Sequence, residues 1–297
     1  MYRREFLSLI PAAVLRAQST KLFDISIAEW SFHRALRSGE MEHLDFISNA
    51  SKDYGIDAVE YVNVFFFDKA EDATYLAEMR ARADDNGVQS LLIMCDNEGD
   101  LGSPEASVRG TAVSNHHKWV RAAQALGCHS IRVNAKSDDT LAPDEQAKHA
   151  ADGLRALCEY ADSFAIDVIV ENHGGISSNG AWLKGVMEQV DHPRVGTLPD
   201  FGNFLIRAEP EEWYDRYRGV RELMPFARAV SAKSHDFDAA GNEIRTDYER
   251  MMRIVLDAGY RGYVGIEYEG SDVSESDGVR LTRDLLRRVR DALASSY

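Results

Sequence analysis

The sequence predicts a single-domain (β/α)8 barrel: eight parallel strands, each followed by a helix. Three observations point there. Short β-branched or apolar runs recur about every 30 to 40 residues, the length of a strand–helix unit. Amphipathic helical stretches lie between them, and glycines stand where those helices must stop. The chain of 297 residues is an ordinary length for this class, and its 44% hydrophobic content is enough for one large core.

The eight strands are expected over residues 22–28, 58–62, 88–94, 130–134, 168–170, 195–198, 229–232 and 263–266. Helical periodicity is clearest over 70–83, 119–126, 144–164 and 279–293. Gly55, Gly87, Gly127 and Gly259 sit where a helix ends and the chain returns to a strand. A left-handed residue is favoured at such a stop, and glycine adopts it without strain. A doubly wound open sheet would need a glycine-rich phosphate loop after the first strand. Ala28-Glu29-Trp30-Ser31 offers none.

The formal charge of −15 repels phosphodiester backbones and argues against a nucleic-acid partner. Cys95, Cys128 and Cys158 are far apart, with no Cys-x-x-Cys, and read as buried thiols. Residues 1–20 read as an export signal and residues 21–297 as the barrel. Arg3 and Arg4 precede an apolar run over 6–15, and Ala17 is a small residue near a plausible cut. The run is too short for a stable membrane anchor. The Arg-Arg pair followed by Phe6 and Leu7 resembles a twin-arginine signal, which implies a periplasmic or exported protein.

Four strands run into a side chain able to bind a metal: Glu171, Asp200, His235 and Glu267. Barrel enzymes keep their chemistry at these C-terminal strand ends. Residues two apart on a strand share a face, so Ile169, Leu198, Lys233 and Gly265 should point inward below the four. A lysine there needs an anionic partner, and a metal-binding carboxylate is the natural one. Three carboxylates and one imidazole suit one Mn²⁺, Mg²⁺ or Co²⁺, with Zn²⁺ also compatible.

At this point the chain resembles the sugar isomerase/epimerase superfamily of xylose isomerase-like barrels, from about Leu22 to the C-terminus. The resemblance lies in VIVENHGG at 168–175, LPDFGNF at 198–204, SAKSHDFD at 231–238 and GIEYEG at 265–270. It implies that Glu171, Asp200, His235 and Glu267 hold one divalent cation, Mn²⁺ foremost. It also implies that Glu171 and Glu267 move protons through an enediolate of a small sugar. Residues 200–203 read Asp-Phe-Gly-Asn where many epimerases carry Asp-x-x-His. Asn203 can hydrogen-bond a sugar hydroxyl but cannot act as a cationic acid. The related three-zinc apurinic endonucleases need more strand-end histidines than this chain has. The export signal and the lack of a basic phosphate clamp favour a free sugar or keto-sugar. Two alternatives stay open: a lyase cleaving 3-keto-glycosides by β-elimination, and a non-catalytic sugar-binding or partner subunit. The chain is also compatible with a homo-oligomer.

Further substrate-binding residues are expected at the mouth. His173 should lie at the rim, two residues beyond Glu171, and Arg132 with Asn134 should face the pocket from the fourth strand. Arg132 could instead pair inside the barrel with Glu60 or Glu171. Glu60 is preferred over Asp96 and Glu98 as a polar wall residue, and Asn203 and Lys233 complete the set. Trp30, Phe32, Phe65, Phe66 and Phe67 offer aromatic surface against which a sugar can stack. His116 and His117 are expected on a helix surface.

Overall fold

In the computed structural model, residues 21–297 are described. The expected export segment, residues 1–20, lies outside them. Eight parallel strands form the barrel wall: β1 (Asp24–Ala28), β2 (Ala58–Val62), β3 (Gln89–Met94), β4 (Ser130–Val133), β5 (Asp167–Glu171), β6 (Val195–Leu198), β9 (Val230–Ser234) and β10 (Tyr263–Tyr268). Two short strands, β7 (Leu205–Arg207) and β8 (Glu212–Trp213), pair antiparallel as a hairpin in the loop after β6. The wall runs β6-β5-β4-β3-β2-β1-β10-β9. Its two edges meet through parallel bridges, Thr197 with Ala227 and Asp200 with Ser231. Closure leaves no open edge for another chain to pair with.

Helices wrap the outside: α1 (His33–Ser38), α2 (Asp45–Tyr54), α3 (Ala73–Asn86), α4 (Ala106–Leu126), α5 (Pro143–Asp162), α6 (Gly180–Val190), α7 (Arg216–Leu223), α8 (Tyr248–Asp257) and α9 (Glu275–Leu293). Their termini follow local chemistry. The Asp72 carboxylate accepts from Thr74 N and Tyr75 N, both at 3.1 Å, and starts α3; Gly87, at φ +64°, ends it. Gly55, Gly127 and Gly259 have positive φ as expected. The helix expected over 119–126 is longer, because α4 begins at Ala106. The polar stretch Ser107-Val108-Arg109-Gly110-Thr111 carries no apolar stripe to announce that first part. His116 corrects the surface expectation: it is buried, and its Nδ1 lies 2.7 Å from the Ala112 carbonyl.

Packing separates two apolar regions. The larger fills the space between sheet and helices and includes Trp119, Phe46, Phe66 and Tyr61. A smaller one sits inside the barrel: Ala28, Val62, Leu92, Met94, Ile169, Leu198 and Ala229. The period-two alternation of the strands puts these and the charged side chains on one inner face. All three cysteines are buried and free.

Candidate active site

β5, β6 and β10 each deliver a carboxylate to the top of the barrel interior. Glu171, Asp200 and Glu267 offer oxygens that all lie within 4.8 Å of one another, and all three residues are buried. Each sits two residues beyond an inward-facing neighbour: Ile169, Leu198 and Gly265. The alternation expected from the sequence places Glu171 and Glu267, which lie within β5 and β10; Asp200, two residues past β6, is held by its bridge to Ser231 and by Asn172.

Two groups hold Glu171. Asn203 Nδ2 donates to its Oε1 at 3.0 Å, and Arg132 Nε lies 2.8 Å from its Oε2. The second contact is close but misaligned, so Glu171 Oε2 and Arg132 Nε both lack a hydrogen-bond partner. Asp200 closes the turn that follows it: its Oδ1 accepts from Gly202 N and Asn203 N, both at 2.7 Å. Its Oδ2 faces the Ser231 hydroxyl at 2.9 Å and Lys233 Nζ at 3.7 Å. Glu267 meets the same pair, Ser231 Oγ at 2.8 Å and Lys233 Nζ at 3.1 Å. Lys233 also donates to Glu269 Oε1 at 3.1 Å. Its anionic partners are thus the carboxylates of the site itself.

Electrostatics divide the three acids. Burial, with Glu267 close by, raises the Glu171 carboxyl above its ordinary value although Arg132 opposes this. Burial likewise raises Asp200 against the pull of Lys233. Burial would raise Glu267 too, but Lys233, the Ser231 hydrogen bond and Arg132 outweigh it and hold the group low. Lys233 stays charged because Asp200, Glu267 and Glu269 together overcome the cost of its burial.

These residues fit a divalent cation. Metal–oxygen bonds of about 2.0–2.4 Å hold two ligand oxygens at most about 4.8 Å apart, and the three oxygens here lie within that limit. Ser231 carries one hydrogen and can donate to only one of the two carboxylates it touches. Glu171 Oε2 has no hydrogen-bond donor. Six carboxyl groups (Glu60, Asp96, Glu171, Asp200, Glu267 and Glu269) face two cationic side chains, Arg132 and Lys233. Such an excess of negative charge in a dry interior is costly unless a cation neutralises it.

His235 stands outside the close group. Its Nε2 is 3.8 Å from Glu269 Oε2, and Glu269 shares Lys233 with Glu267. It lies one residue past the end of β9, where strand geometry no longer dictates the direction of a side chain.

The remaining expected residues separate by depth. His173 is exposed at the rim, with its backbone N–H donating to Ser177 Oγ at 3.0 Å. Arg132 is buried and takes the internal-pairing alternative, bridging Glu171 and Asp96. Glu60 lies one layer below Glu267, beside Gly265. It is buried on the inner face, its Oε1 accepts from Ser26 Oγ at 2.6 Å, and it packs against Gly265. Asp96 is partly buried and accepts from Arg132 and Asn134, while Glu98 is occupied by Trp119 Nε1 at 2.5 Å and Lys118 Nζ at 2.9 Å. Among the aromatics, Trp30 and Phe65 pack on the barrel-interior cluster with ring centroids 6.0 Å apart. Phe32 and Phe66 are buried among the helices, and Phe67 is exposed beside Trp119.

Two supports lie outside the residues singled out in the sequence. Asn172 accepts from Asp200 N at 2.8 Å and donates to the carbonyls of Asp200 and Asn203 at 3.1 and 3.0 Å. It ties the β5 loop to the β6 loop. Ser231 joins Asp200 to Glu267. Its position four residues before His235 on the inner face was the one available signal.

This fold and site define a barrel enzyme scaffold with an acidic, cation-compatible mouth. The chain belongs to the Xylose isomerase-like TIM barrel family, whose match covers residues 49–291. It is 40% identical over 86 residues to the C-glycoside deglycosidase alpha subunit of Arthrobacter globiformis, covering 27% of this chain and 22% of that one. It is 26% identical over 123 residues to fructoselysine 3-epimerase of Escherichia coli O157:H7, covering 39% and 44%. The chain thus spans less than half the length of these curated relatives. The D-psicose 3-epimerase of Clostridium cellulolyticum H10, solved with D-tagatose, superposes with a TM-score of 0.68 at 15% identity, over 91% of this chain and 99% of that one. A Xylose isomerase-like TIM barrel protein from Mycobacterium smegmatis in complex with magnesium gives 0.64 at 16% identity, over 92% and 97%.

Proposed function

We propose that this protein is a divalent-cation-dependent isomerase or epimerase of a free sugar or keto-sugar, with Glu171 and Glu267 as its proton carriers. The observation that carries the reading is the convergence of three buried strand-end carboxylates within 4.8 Å. Glu171, Asp200 and Glu267 would hold the cation, with His235 as a fourth ligand and Mn²⁺ as the preferred ion. When bound, such an ion polarises a carbonyl and stabilises the negative charge that develops on its oxygen.

The chain's own groups then divide the work. β5 and β10 are not neighbours in the wall, so Glu171 and Glu267 approach a bound sugar from different sides. One carboxylate removes the proton from the carbon beside the carbonyl, and the other returns a proton. Return to the opposite face inverts that carbon; return to the neighbouring carbon exchanges aldose and ketose. Asn203 orients Glu171, with Arg132 close by as a counter-charge, while Ser231 and Lys233 orient Glu267. Lys233 also holds Glu267 anionic and ready to accept a proton. Trp30 and Phe65 offer an apolar wall for the C–H face of the ring, and His173 and Asp96 polar groups for its hydroxyls.

A second reading is a lyase that expels a β-substituent from the same intermediate. The similarity to a C-glycoside deglycosidase alpha subunit favours keeping it. Residues 1–20 support export, through Arg3 and Arg4 ahead of an apolar run. No described helix is long and apolar enough to cross a membrane. Proton–deuterium exchange, followed by NMR across free ketoses, aldoses and 3-keto-glucosides with and without Mn²⁺, tests the central claim. Cation-dependent exchange at the carbon beside the carbonyl is expected; its absence from every substrate would end the isomerase reading and the lyase reading together.

A further inference from the structure

Arg132 lies 2.8 Å from Glu171 and makes no aligned hydrogen bond to it. A guanidinium normally grips a carboxylate through two parallel N–H groups. Here one arm is committed elsewhere. Arg132 Nη1 donates to Asp96 Oδ1 at 2.8 Å, and Asn134 Nδ2 donates to the same oxygen at 2.9 Å. Asp96 is itself fixed by its backbone. Its N–H donates to Asn63 Oδ1 and its carbonyl accepts from Asn63 Nδ2, both at 2.9 Å, and Asn63 is fully buried. A chain of contacts therefore crosses four consecutive strand ends, from Asn63 after β2 through Asp96 and Arg132 to Glu171.

We propose that Asp96 is a positioning residue that keeps Arg132 from closing on Glu171, and so tunes the cation affinity of a site it does not itself touch. The inference rests on the cation reading above. With Nη1 pinned, the guanidinium cannot rotate to align Nε–H with Glu171 Oε2. That oxygen keeps its lone pairs for a cation, while Glu171 Oε1 is oriented by Asn203. Without Asp96, Arg132 turns onto Glu171, forms the missing hydrogen bonds and competes with the cation for the same oxygen. Arg132 is a conditional competitor, and Asp96 sets the condition.

The test is Mn²⁺ binding to the metal-free full chain, read from the EPR signal of free Mn²⁺. It compares wild type, Asp96→Ala, Asp96→Asn, Arg132→Met and the Asp96→Ala/Arg132→Met double variant. Methionine fills the buried space of Arg132 without its charge. Asp96→Ala should weaken Mn²⁺ binding about tenfold, and the same substitution in the Arg132→Met background should change it less than about twofold. Asp96→Asn keeps an oxygen for Nη1 and should stay close to wild type. Equal losses in both backgrounds, or an Asp96→Asn loss as large as that of Asp96→Ala, would mean that Asp96 acts through its own charge, and the proposal fails. Unchanged affinity in Asp96→Ala overturns it as well. Should Asp96→Ala not fold, Asp96→Asn decides alone: near wild type supports the restraint, a tenfold loss overturns it. Failure of wild type to bind Mn²⁺ removes the cation reading first and this inference with it, and is seen before any variant is made.

Discussion

The carboxyl group of Glu60 occupies the space that a side chain at position 265 would need. A Cβ on Gly265 would lie 2.5 Å from Glu60 Oε1 and 2.8 Å from its Oε2. Gly265 stands two residues before Glu267 on the same face of β10, so this buried acid sits one layer below the candidate cation site. The glycine is there for room: its φ is not among the positive ones.

Gly265→Ala should therefore destabilise the protein by about 1–3 kcal/mol, the usual cost of overpacking a tight interior. Adding Glu60→Ala should recover most of that loss, because the clashing atoms are gone. Urea denaturation of both single variants and the double variant checks it. A double variant as unstable as the sum of the two singles would show that the two positions do not share this space.

Burial pushes the Glu60 carboxyl up to about 7, with Glu267 and Glu171 adding to the rise and the Ser26 hydrogen bond opposing it. The folded state thus binds this proton more tightly than the unfolded chain does. The resulting stability is complete below about pH 4.5 and is lost as pH rises to about 7. In metal-free protein, wild type should lose up to about 3 kcal/mol relative to Glu60→Gln across that interval. Chemical denaturation of both at pH 4.5, 6 and 8 measures the difference, and a pH-independent difference would remove Glu60 as its source.

Glu267→Gln keeps the size and one oxygen of the side chain but cannot accept a proton. With metal content measured in the same sample and retained, turnover should fall by about 10² to 10⁴ while KM changes little. Glu171→Gln should behave alike. Near-wild-type turnover in both metal-loaded variants would end the two-glutamate mechanism and leave the fold assignment intact.

The proposed export rests on the arginine pair within residues 1–20. Replacing Arg3→Lys together with Arg4→Lys should retain the protein in the cytoplasm of its native host. An unchanged compartment on fractionation would show that the arginine pair is not the signal.

The strand–helix alternation and the inward columns of the strands were legible in the sequence. Period-two alternation is a property of one strand, and Ile169 below Glu171 and Gly265 below Glu267 obey it, while Asp200 continues the column of Leu198 past β6 through its bridge to Ser231. The sequence by itself therefore determined the barrel and the three carboxylates at its mouth. Partnership between strands is another matter, because it depends on register and on how far each side chain reaches across the barrel. Lys233 was readable as a buried cation needing an acid, but only the structure chose Asp200, Glu267 and Glu269. It also set Asp96, not Glu60, opposite Arg132, because β4 places that guanidinium at the level of the β3 loop. His235 shows the same boundary. Its place in the chain follows from the sequence, but one residue past β9 the backbone no longer fixes its direction, and the tertiary contacts turn it towards Glu269.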